Sequence, residues 1–287
     1  MMNMIPSREK GFSLIELLVA LAIGLLVTLV VMQAYLSGLG TQRAQTDLGR
    51  AQESSRFAFD LLARSLRKAG YRNPKAQVPA FCPGPNLRLV ASNDPSAITS
   101  ATFGTNATIV NNSDVILVRY YGEGIPTQDG TMRDCLGNTI AANALVADTF
   151  FIATDTSNNE PALFCYTSNP AATPTATAPN PAPLVPGIES MQLLYGEDTD
   201  GDGAINHYVP GSTSLNNNAN NVRSVMLSMI ARTASATAVD RSTQPINHFG
   251  TSYAPSSGDA NIFTAPADGR TRQHFTTTIA LRNLCPV

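Results

Sequence analysis

A charge-free run near the amino terminus constrains this chain more than any other feature. Between Leu17 and Gln42 no side chain carries a charge. A helix rises about 1.5 Å per residue, so a helix of this length exceeds the ~30 Å hydrocarbon core of a bilayer. Arg8 and Lys10 precede the run. We therefore predict one membrane-spanning helix over about residues 14–36, with the amino terminus on the cytoplasmic side.

One carboxylate, that of Glu16, lies one helical turn inside the apolar start. An isolated carboxylate in lipid costs at least ~2.5 kcal/mol, and a segment that serves only as an anchor has no use for it. Two opposite charges that have both lost their water are stabilised by meeting. We therefore expect Glu16 to pair with a cation, such as the charged amino terminus of a neighbouring helix.

The stretch GFSLIE at residues 11–16, followed by the apolar run, resembles the processing site of type IV pilins and pseudopilins. The resemblance implies that prepilin peptidase cuts after Gly11 and that the new amino terminus, Phe12, is methylated. It also implies that Glu16 pairs with this ammonium group and sets the register of an incoming subunit in a filament. Residues 1–11 are then a leader peptide, and a bulky residue at position 12 argues against an ordinary secretory signal.

The helix is predicted to continue well beyond the membrane segment. No proline occurs between Ser13 and Pro74. Apolar residues recur every three or four positions from Leu48 to Ala69 and form one face, while charged residues lie mostly away from it. We expect this face to pack on a sheet, and Gly70 to end a helix that occupies residues 12–70.

The remaining residues, 71–287, read as one periplasmic β-rich domain. β-branched and aromatic runs of strand length alternate with polar loops. The fold class is therefore α+β, with the long helix packed on an antiparallel sheet of about six strands. The Pro-, Ala- and Thr-rich stretch 169–186 is predicted to be an extended, exposed loop. The predicted strands lie near residues 115–121, 149–153, 162–166, 188–195, 222–232 (a strand or a short helix) and 275–282.

All four cysteines follow the membrane segment, which places them in an oxidising compartment where cysteines pair. Their spacing matches no zinc motif. Four cysteines allow three pairings, and the sequence does not choose among them. We favour Cys135–Cys165, which brackets a strand-rich stretch, together with Cys82–Cys285, which would tie the chain end to the region after the helix. Free buried thiols are the alternative.

The acidic stretch DTDGDGAIN at residues 198–206 is the sharpest chemical motif in the exported part. Asp198, Asp200 and Asp202 stand at alternate positions with a glycine after the third, as in the first half of an EF-hand loop. Ala204 would add its carbonyl oxygen, and Asn206 would act through water. The motif therefore predicts a structural Ca²⁺ site that pins a loop.

The second half of the motif departs from the EF-hand pattern. Its twelfth position is Val209 rather than the bidentate glutamate that completes such a site. Glu197 or Glu189 would have to substitute. The alternative is a solvated turn, because turns favour Asp and Gly in any case.

The sequence contains no recognisable catalytic constellation. His207, His248 and His274 are scattered and lack the spacing of a metal pair, and no nucleophile elbow or phosphate loop occurs. A nucleophile and its base could still meet only in three dimensions. A net charge of −2 gives no reason to expect direct binding of nucleic acid. We expect a protein that is not an enzyme.

Softer motifs extend the resemblance over most of the chain: RKAGY at 67–71, SDVILVRY at 113–120, YG at 195–196 before the acidic loop, and LRN at 281–283. The layout resembles that of PilW-type minor pilins. This implies a low-abundance subunit that primes type IV pilus assembly near the tip, with other minor pilins, the major pilin and the inner-membrane assembly platform as partners. It implies a single inner-membrane span before transfer to the pilus on the cell surface, and an indirect role in twitching motility, adhesion or DNA uptake.

Three alternatives stay open at this point. A large pseudopilin of a type II secretion system would have the same amino-terminal physics. A membrane-anchored adhesin would use the long Asn- and Thr-rich loops as its binding surface. An anchored periplasmic enzyme would need a pocket with a cluster of groups whose pKa values are shifted.

Overall fold

The computed structural model describes residues 11–73, 89–92 (backbone only), 109–123, 131–168, 181–211, 221–236, 243, 245–250 and 262–283. The leader residues 1–10, Cys82, Cys285 and the stretch 169–180 therefore lie outside the described residues. Within the described part, one helix and eleven strands form the fold. The chain divides into two units, Met1–Thr46 and Asp47–Val287, and each is described by itself.

The first unit holds the amino-terminal part of the helix α1, which spans Leu14–Lys68. Large apolar side chains from Phe12 to Leu36 are 52–86% exposed. This segment is long and apolar enough to cross a membrane, and none of its most apolar stretch is buried within the chain. So much exposed apolar surface requires lipid or other protein around it. The chain is a single-pass membrane protein with its carboxy-terminal domain outside the membrane.

The later part of α1 is amphipathic, as predicted. Ala58, Leu62 and Leu66 are buried at helical spacing. The helix ends at Lys68, and Gly70 follows with a φ of 72°. A left-handed residue at this position costs a glycine little, which makes it a good helix terminator.

The first main sheet has five antiparallel strands in sequential order. The turn between its third and fourth strands occupies residues 156–159, with the Asn159 N–H bonded to the Asp155 carbonyl at 2.7 Å. The strands are β1 (Leu89–Ser92), β2 (Val115–Tyr121), β3 (Leu145–Asp155), β4 (Glu160–Ser168) and β5 (Ala182–Pro186).

The second main sheet has four antiparallel strands in the spatial order β11-β8-β6-β7. A separate two-stranded ribbon, β9 and β10, accompanies it. The strands are β6 (Ile188–Glu197), β7 (His207–Pro210), β8 (Val222–Arg232), β9 (Pro245–Asn247), β10 (Ile262–Thr264) and β11 (Arg272–Ala280).

The α+β class holds, but the sheet differs from the prediction in two respects. Two main sheets replace the single sheet of about six strands, because strand patterns do not reveal which strands pair. The end of the predicted loop 169–186 forms the edge strand β5. Pro183 and Pro186 make this stretch read as a connection, yet an edge strand tolerates prolines because one of its sides has no ladder partner. Val222–Arg232 is a strand.

One hydrophobic core joins α1 to both main sheets. Its members come from the inward-facing positions of the strands and from the buried face of the helix. The largest of them that are almost fully buried include Leu62, Leu66, Tyr120, Phe150, Ile152, Leu163, Met191 and Tyr195. Burying each such side chain contributes about 1.5–3 kcal/mol, so the helix is a structural part of the domain and not only its anchor.

The segment that enters β2 links the two sheets by hydrogen bonds. The Asp114 N–H donates to the Met191 carbonyl at 2.9 Å, and the Asp114 carboxylate accepts from the Leu193 N–H at 2.8 Å. Both partners lie on β6, in the other sheet. These bonds satisfy buried polar groups at the line where the sheets meet.

A buried ion pair holds the end of α1. The Lys68 ammonium lies 3.7 Å from the Asp148 carboxylate and donates to the Tyr120 hydroxyl, which donates in turn to Asp148 at 2.7 Å. Burial raises the pKa of Asp148 and lowers the pKa of Lys68, although the two opposite charges attract. Removing Lys68 would leave the fully buried carboxylate of Asp148 without its compensating charge.

The Cys135–Cys165 disulfide, the pairing favoured from the sequence, lies beside this ion pair. Its Cα atoms are 6.3 Å apart, and 30 residues separate the two cysteines. Cys165 is fully buried on β4, so the bond fastens the segment before β3 to the sheet. Closing a loop of this length is worth about 3–4 kcal/mol in the chain-entropy account.

A charge-balanced network of ion pairs links the two sheets at the end opposite the Lys68–Asp148 pair. Arg272 pairs with Glu189 at 2.7 Å, and Arg270 pairs with Glu160 at 3.0 Å. Because Glu160 lies on β4 and Glu189 on β6, the network bridges both sheets. Its three carboxylates and three guanidiniums belong to Glu160, Glu189, Asp268, Arg232, Arg270 and Arg272.

Shortening Leu62 should destabilise the exported domain by about 2–5 kcal/mol, because Leu62→Ala opens a cavity where helix and sheets meet. Leu61→Ala is the matched control, since its neighbour Leu61 is only partly buried and should lose well under half as much. Urea unfolding of the detergent-solubilised full chain measures both variants. Equal losses would contradict the packing described above.

Candidate functional site

The candidate processing site lies just before α1. Gly11 and Phe12 precede the first helical residue and are exposed, and a Cβ atom placed on Gly11 would meet no other atom within 4 Å. A protease binds its substrate in extended form, so an exposed, non-helical bond fits cleavage between these two residues. Cleavage after Gly11 and methylation of Phe12 remain predictions.

Glu16 forms a capping box with Ser13. The Ser13 hydroxyl accepts the Ile15 N–H at 3.3 Å, and the Glu16 carboxylate accepts the Ser13 N–H at 3.2 Å. Both contacts satisfy N–H groups that the first turn of a helix leaves without partners. The Ser-x-x-Glu spacing of residues 13–16 is the sequence signature of this motif. In the uncleaved chain the carboxylate is therefore already used within its own helix.

The acidic stretch forms the connection of the β6–β7 hairpin. Asp198 stands at its start, fully buried, and its carboxylate accepts the Gly201 N–H at 2.8 Å and the Gly203 N–H at 3.0 Å. Gly201 and Gly203 have φ values of 81° and 89°, which only glycine adopts without strain. The loop thus wraps its backbone around one carboxylate.

The structure brings the three predicted carboxylate ligands together. One oxygen from each of Asp198, Asp200 and Asp202 lies within 4.8 Å of the others. The backbone N–H of Ala204 donates to Asp202 at 2.7 Å, and the amide oxygen of Asn206 accepts the Thr199 N–H at 2.7 Å. The donor set suits Ca²⁺, which prefers oxygen ligands, but the Asn206 oxygen is engaged elsewhere in the loop.

An arginine that the sequence interpretation missed supplies a positive charge at this loop. The Arg223 guanidinium on β8 donates to Asp198 at 2.9 Å. Burial raises the pKa of Asp198, but the hydrogen bonds from Gly201, Arg223 and Gly203 together hold it below its usual value. Position 223 lies 25 residues from position 198, so no local sequence pattern predicts that the two residues pair. Arg223 does part of the work expected of a cation.

Neither substitute for the missing twelfth ligand lies in the carboxylate cluster. Glu197 accepts a hydrogen bond from His207 at 3.1 Å, and Glu189 belongs to the arginine network at the opposite end of β6. The loop therefore offers a partial cation site, and Ca²⁺ binding at Asp198, Asp200 and Asp202 remains a proposal.

Two histidines that are scattered in the sequence meet in space. The rings of His248 and His274 lie edge to face, with centroids 5.8 Å apart. His248 bonds through one ring nitrogen to Ser190 at 2.9 Å and through the other to Ser228 at 2.8 Å. His274 donates to the His248 carbonyl at 2.8 Å, since a carbonyl can only accept. In the sequence these histidines are only scattered. They meet because His248, just after β9, contacts Ser228 of β8 and His274 of β11, and β8 and β11 are neighbours only in the folded sheet.

This serine–histidine cluster has the atoms of a nucleophile and its base but lacks access. Ser190 is 1% exposed and Ser228 is 0% exposed. No substrate could reach either hydroxyl without opening the sheet. In the part of the chain that the structure describes, the cluster is a satisfied polar network, and burial lowers the pKa of His248 to about 3.

Two family models match parts of this chain. The family model of the type IV pilus-assembly protein W matches residues 149–283, which contain the acidic loop and strands β6–β11. The model of the prokaryotic N-terminal methylation motif matches residues 6–32, which contain Gly11, Phe12 and Glu16. A type IV-like pilin from Thermus thermophilus is similar at 16% identity and a TM-score of 0.42, over 83% of this chain and 100% of its own. No curated protein matches the chain.

Replacing Arg223 tests the acidic loop. In calcium-free buffer, Arg223→Gln should lower the thermal midpoint by several degrees, because Asp198 loses its ion pair. Ca²⁺ should then stabilise this variant more than it stabilises the parent, and at 100 times its Kd the variant should gain about 2.7 kcal/mol over its calcium-free form. Differential scanning calorimetry with Ca²⁺, Mg²⁺ or chelator measures the effect, with Arg67→Gln as the exposed control. No calcium-linked shift in either protein would remove the calcium hypothesis.

His248 should make the domain sensitive to acid. Its pKa is about 3 in the folded state, against 6.5 in the unfolded chain, so only the unfolded chain takes up the proton between these values. The contribution of neutral His248 to the free energy of unfolding is therefore fully present above pH 6.5 and is lost as the pH falls toward 3. At pH 5 the loss amounts to about 2 kcal/mol. His248→Gln can keep both serine contacts but cannot titrate. Urea unfolding from pH 7 to 4.5 should show a shallower loss for the variant, and parallel curves would contradict the assignment.

Proposed function

We propose that this chain, a PilW-type minor pilin of the type IV pilus, primes assembly of the filament at its tip together with other minor pilins. It is processed by prepilin peptidase, handled by the inner-membrane assembly platform, and contacts the major pilin below it. The tip position and the priming role are supported by the resemblance to PilW-type minor pilins. Direct binding of nucleic acid is not part of the proposal.

The observation that carries the proposal is the amino-terminal unit. Apolar side chains from Phe12 to Leu36 are exposed on one helix, and a single acid, Glu16, stands at its start. Lipid satisfies the apolar surface but not the acid. A bundle of equivalent helices from other subunits satisfies both, since apolar residues then pack together and the acid meets an amino terminus.

Cleavage after Gly11 would change the partners available to Glu16. Before cleavage its carboxylate accepts the Ser13 N–H, a neutral donor. After cleavage the Phe12 nitrogen becomes an ammonium group, and each subunit carries one cation and one carboxylate a helical turn apart. Such a subunit can offer its acid to one neighbour and its amino terminus to another. A head-to-tail contact of this kind propagates into a filament.

The exported domain acts as a structural subunit rather than an enzyme. The nucleophile-like Ser190 and Ser228 are buried and fully engaged. The disulfide and the arginine network stabilise the folded domain outside the membrane. The domain then serves to present surfaces to neighbouring subunits.

Two substitutions at Glu16 separate its charge from its capping role. Glu16→Ala loses both, whereas Glu16→Gln keeps an oxygen that can cap Ser13 but cannot neutralise an ammonium group. Both variants should lower incorporation into sheared pili by about tenfold or more, as expected from losing an ion pair in a low-dielectric setting. Quantitative immunoblotting of the pilus fraction against the membrane fraction measures this. A Gln variant that assembles normally would assign Glu16 to capping alone.

A gene deletion tests the function as a whole. Loss of surface pili with intact protein secretion supports a pilus subunit, while loss of secretion with intact pili supports a secretion pseudopilin. Mass spectrometry of the purified chain supplies the second measurement. A chain that begins at methylated Phe12 supports the processing, and any other amino terminus contradicts it.

A further inference from the structure

The edge strand β11 has an open side that faces away from the rest of its sheet. Among the strands that the structure describes, β11 pairs with β8 alone, in a register free of irregularities from Arg272 to Ala280. Just beyond its ends, the Leu281 N–H donates to the Arg223 carbonyl and the Thr233 N–H donates to the Thr271 carbonyl. In an antiparallel ladder, hydrogen-bonded and non-hydrogen-bonded positions alternate. The odd-numbered residues of β11 therefore bond to β8, and the even-numbered ones direct their N–H and C=O groups outward.

The outward positions beyond Arg272, whose side chain belongs to the arginine network, are His274, Thr276, Thr278 and Ala280. Their side chains are exposed, and among the described residues no strand pairs with this edge. Four residues thus present a row of N–H donors and C=O acceptors in the geometry of a sheet that lacks its next strand. Such a row is a template for a strand from another chain.

The other sheet edges carry features that discourage pairing, and β11 does not. The edge strand β5 contains Pro183 and Pro186, while β1 and β7 have only four residues each, and β7 ends in Pro210. Short edges, prolines and charges are the usual protections. β11 has nine residues, and neither a proline nor a charged residue occurs from 273 to 281. Of the four edges that the structure describes in the two main sheets, β11 is therefore the one best suited to pair with a further strand.

A groove beside β11 provides room for the side chains of an added strand. Its volume is about 630 Å³, and it lies between the edge of β11 and one face of α1. Phe59 and Phe275 contribute apolar surface, and Gly49 leaves open space on the helix. Glu53 and Arg56 line it as one acid and one base. A strand laid against β11 would extend the sheet across the helix and cover the two phenylalanine rings.

We propose that β11 and this groove form a strand-addition site for an extended segment of another pilus subunit. The segment pairs with the outward groups of His274, Thr276, Thr278 and Ala280. It carries uncharged side chains where it faces β11, because no charged residue occurs from 273 to 281, and it directs apolar side chains at Phe59 and Phe275. Glu53 and Arg56, one acid and one base, leave the groove without a net charge. The identity of the partner as a pilus subunit rests on the proposed function, while the site itself rests on the edge and the groove.

Proline substitution tests the outward hydrogen bonds. Thr278 directs its N–H away from β8, so Thr278→Pro removes an outward donor and leaves the ladder to β8 intact. Thr278→Val keeps that donor and is the matched control. The proline variant should lower the number of pili by about tenfold or more, as expected when one strand of an interface is blocked, while valine stays within about twofold. Wild-type piliation of Thr278→Pro would overturn the proposal.

Photo-crosslinking tests the same site without relying on a proline variant that folds. The full chain, expressed in its own cells, carries p-benzoylphenylalanine in place of Thr278 or, as a control, in place of the exposed Thr156 in the β3–β4 turn. A crosslink from position 278 to a different pilus subunit, absent from position 156, supports the proposal. Crosslinks only within the chain, only to a second copy, or to nothing overturn it.

The deletion strain separates failure of this site from failure of the proposed function. If deletion abolishes pili while the Thr278 variants and crosslinks show no partner, the pilus role stands and the strand-addition site falls. If deletion leaves pili intact, the proposed function itself falls, and any crosslink then identifies a partner outside the pilus.

Discussion

The apolar face of the later half of α1 is the constraint on which the exported domain depends. Leu62 and Leu66 are buried among side chains from both main sheets, so neither sheet could complete its core without the helix. The hydrogen bonds of Asp114, the Lys68–Asp148 pair and the arginine network then fasten the edges of this core. Each of them satisfies polar or charged groups that packing has removed from water.

The first half of the same helix has the opposite property: its apolar side chains are exposed. It also exposes one acid, and none of the residues that the structure describes covers these side chains. A helix that is buried in one half and exposes apolar side chains in the other requires lipid or other apolar surface around its exposed half. The capping contact between Glu16 and Ser13 gives the acid a hydrogen-bond partner within its own helix.

The open edge of β11 extends this logic to the exported domain. Polymer subunits need contacts that a single molecule leaves incomplete, and an unpaired strand beside an apolar groove is such a contact. The serine–histidine cluster is the reverse case. It has the chemistry of a catalytic site, but it is complete and buried, so it stabilises the sheet and has nothing left to offer a substrate.

The sequence alone determined the features that depend on neighbouring residues: the membrane segment, the processing motif, the amphipathic half of α1 and its end at Gly70, and most strands. These features can be predicted from the pattern of charged residues, apolar periodicity and turn residues, because each feature arises from interactions within a few residues along the chain. Tertiary structure decided the division into two sheets, the strand at 182–186, the Arg223–Asp198 pair, the meeting of His248 with His274, and the open side of β11. These depend on which distant strands become neighbours, and strand pairing leaves no local mark because its partners lie tens of residues apart.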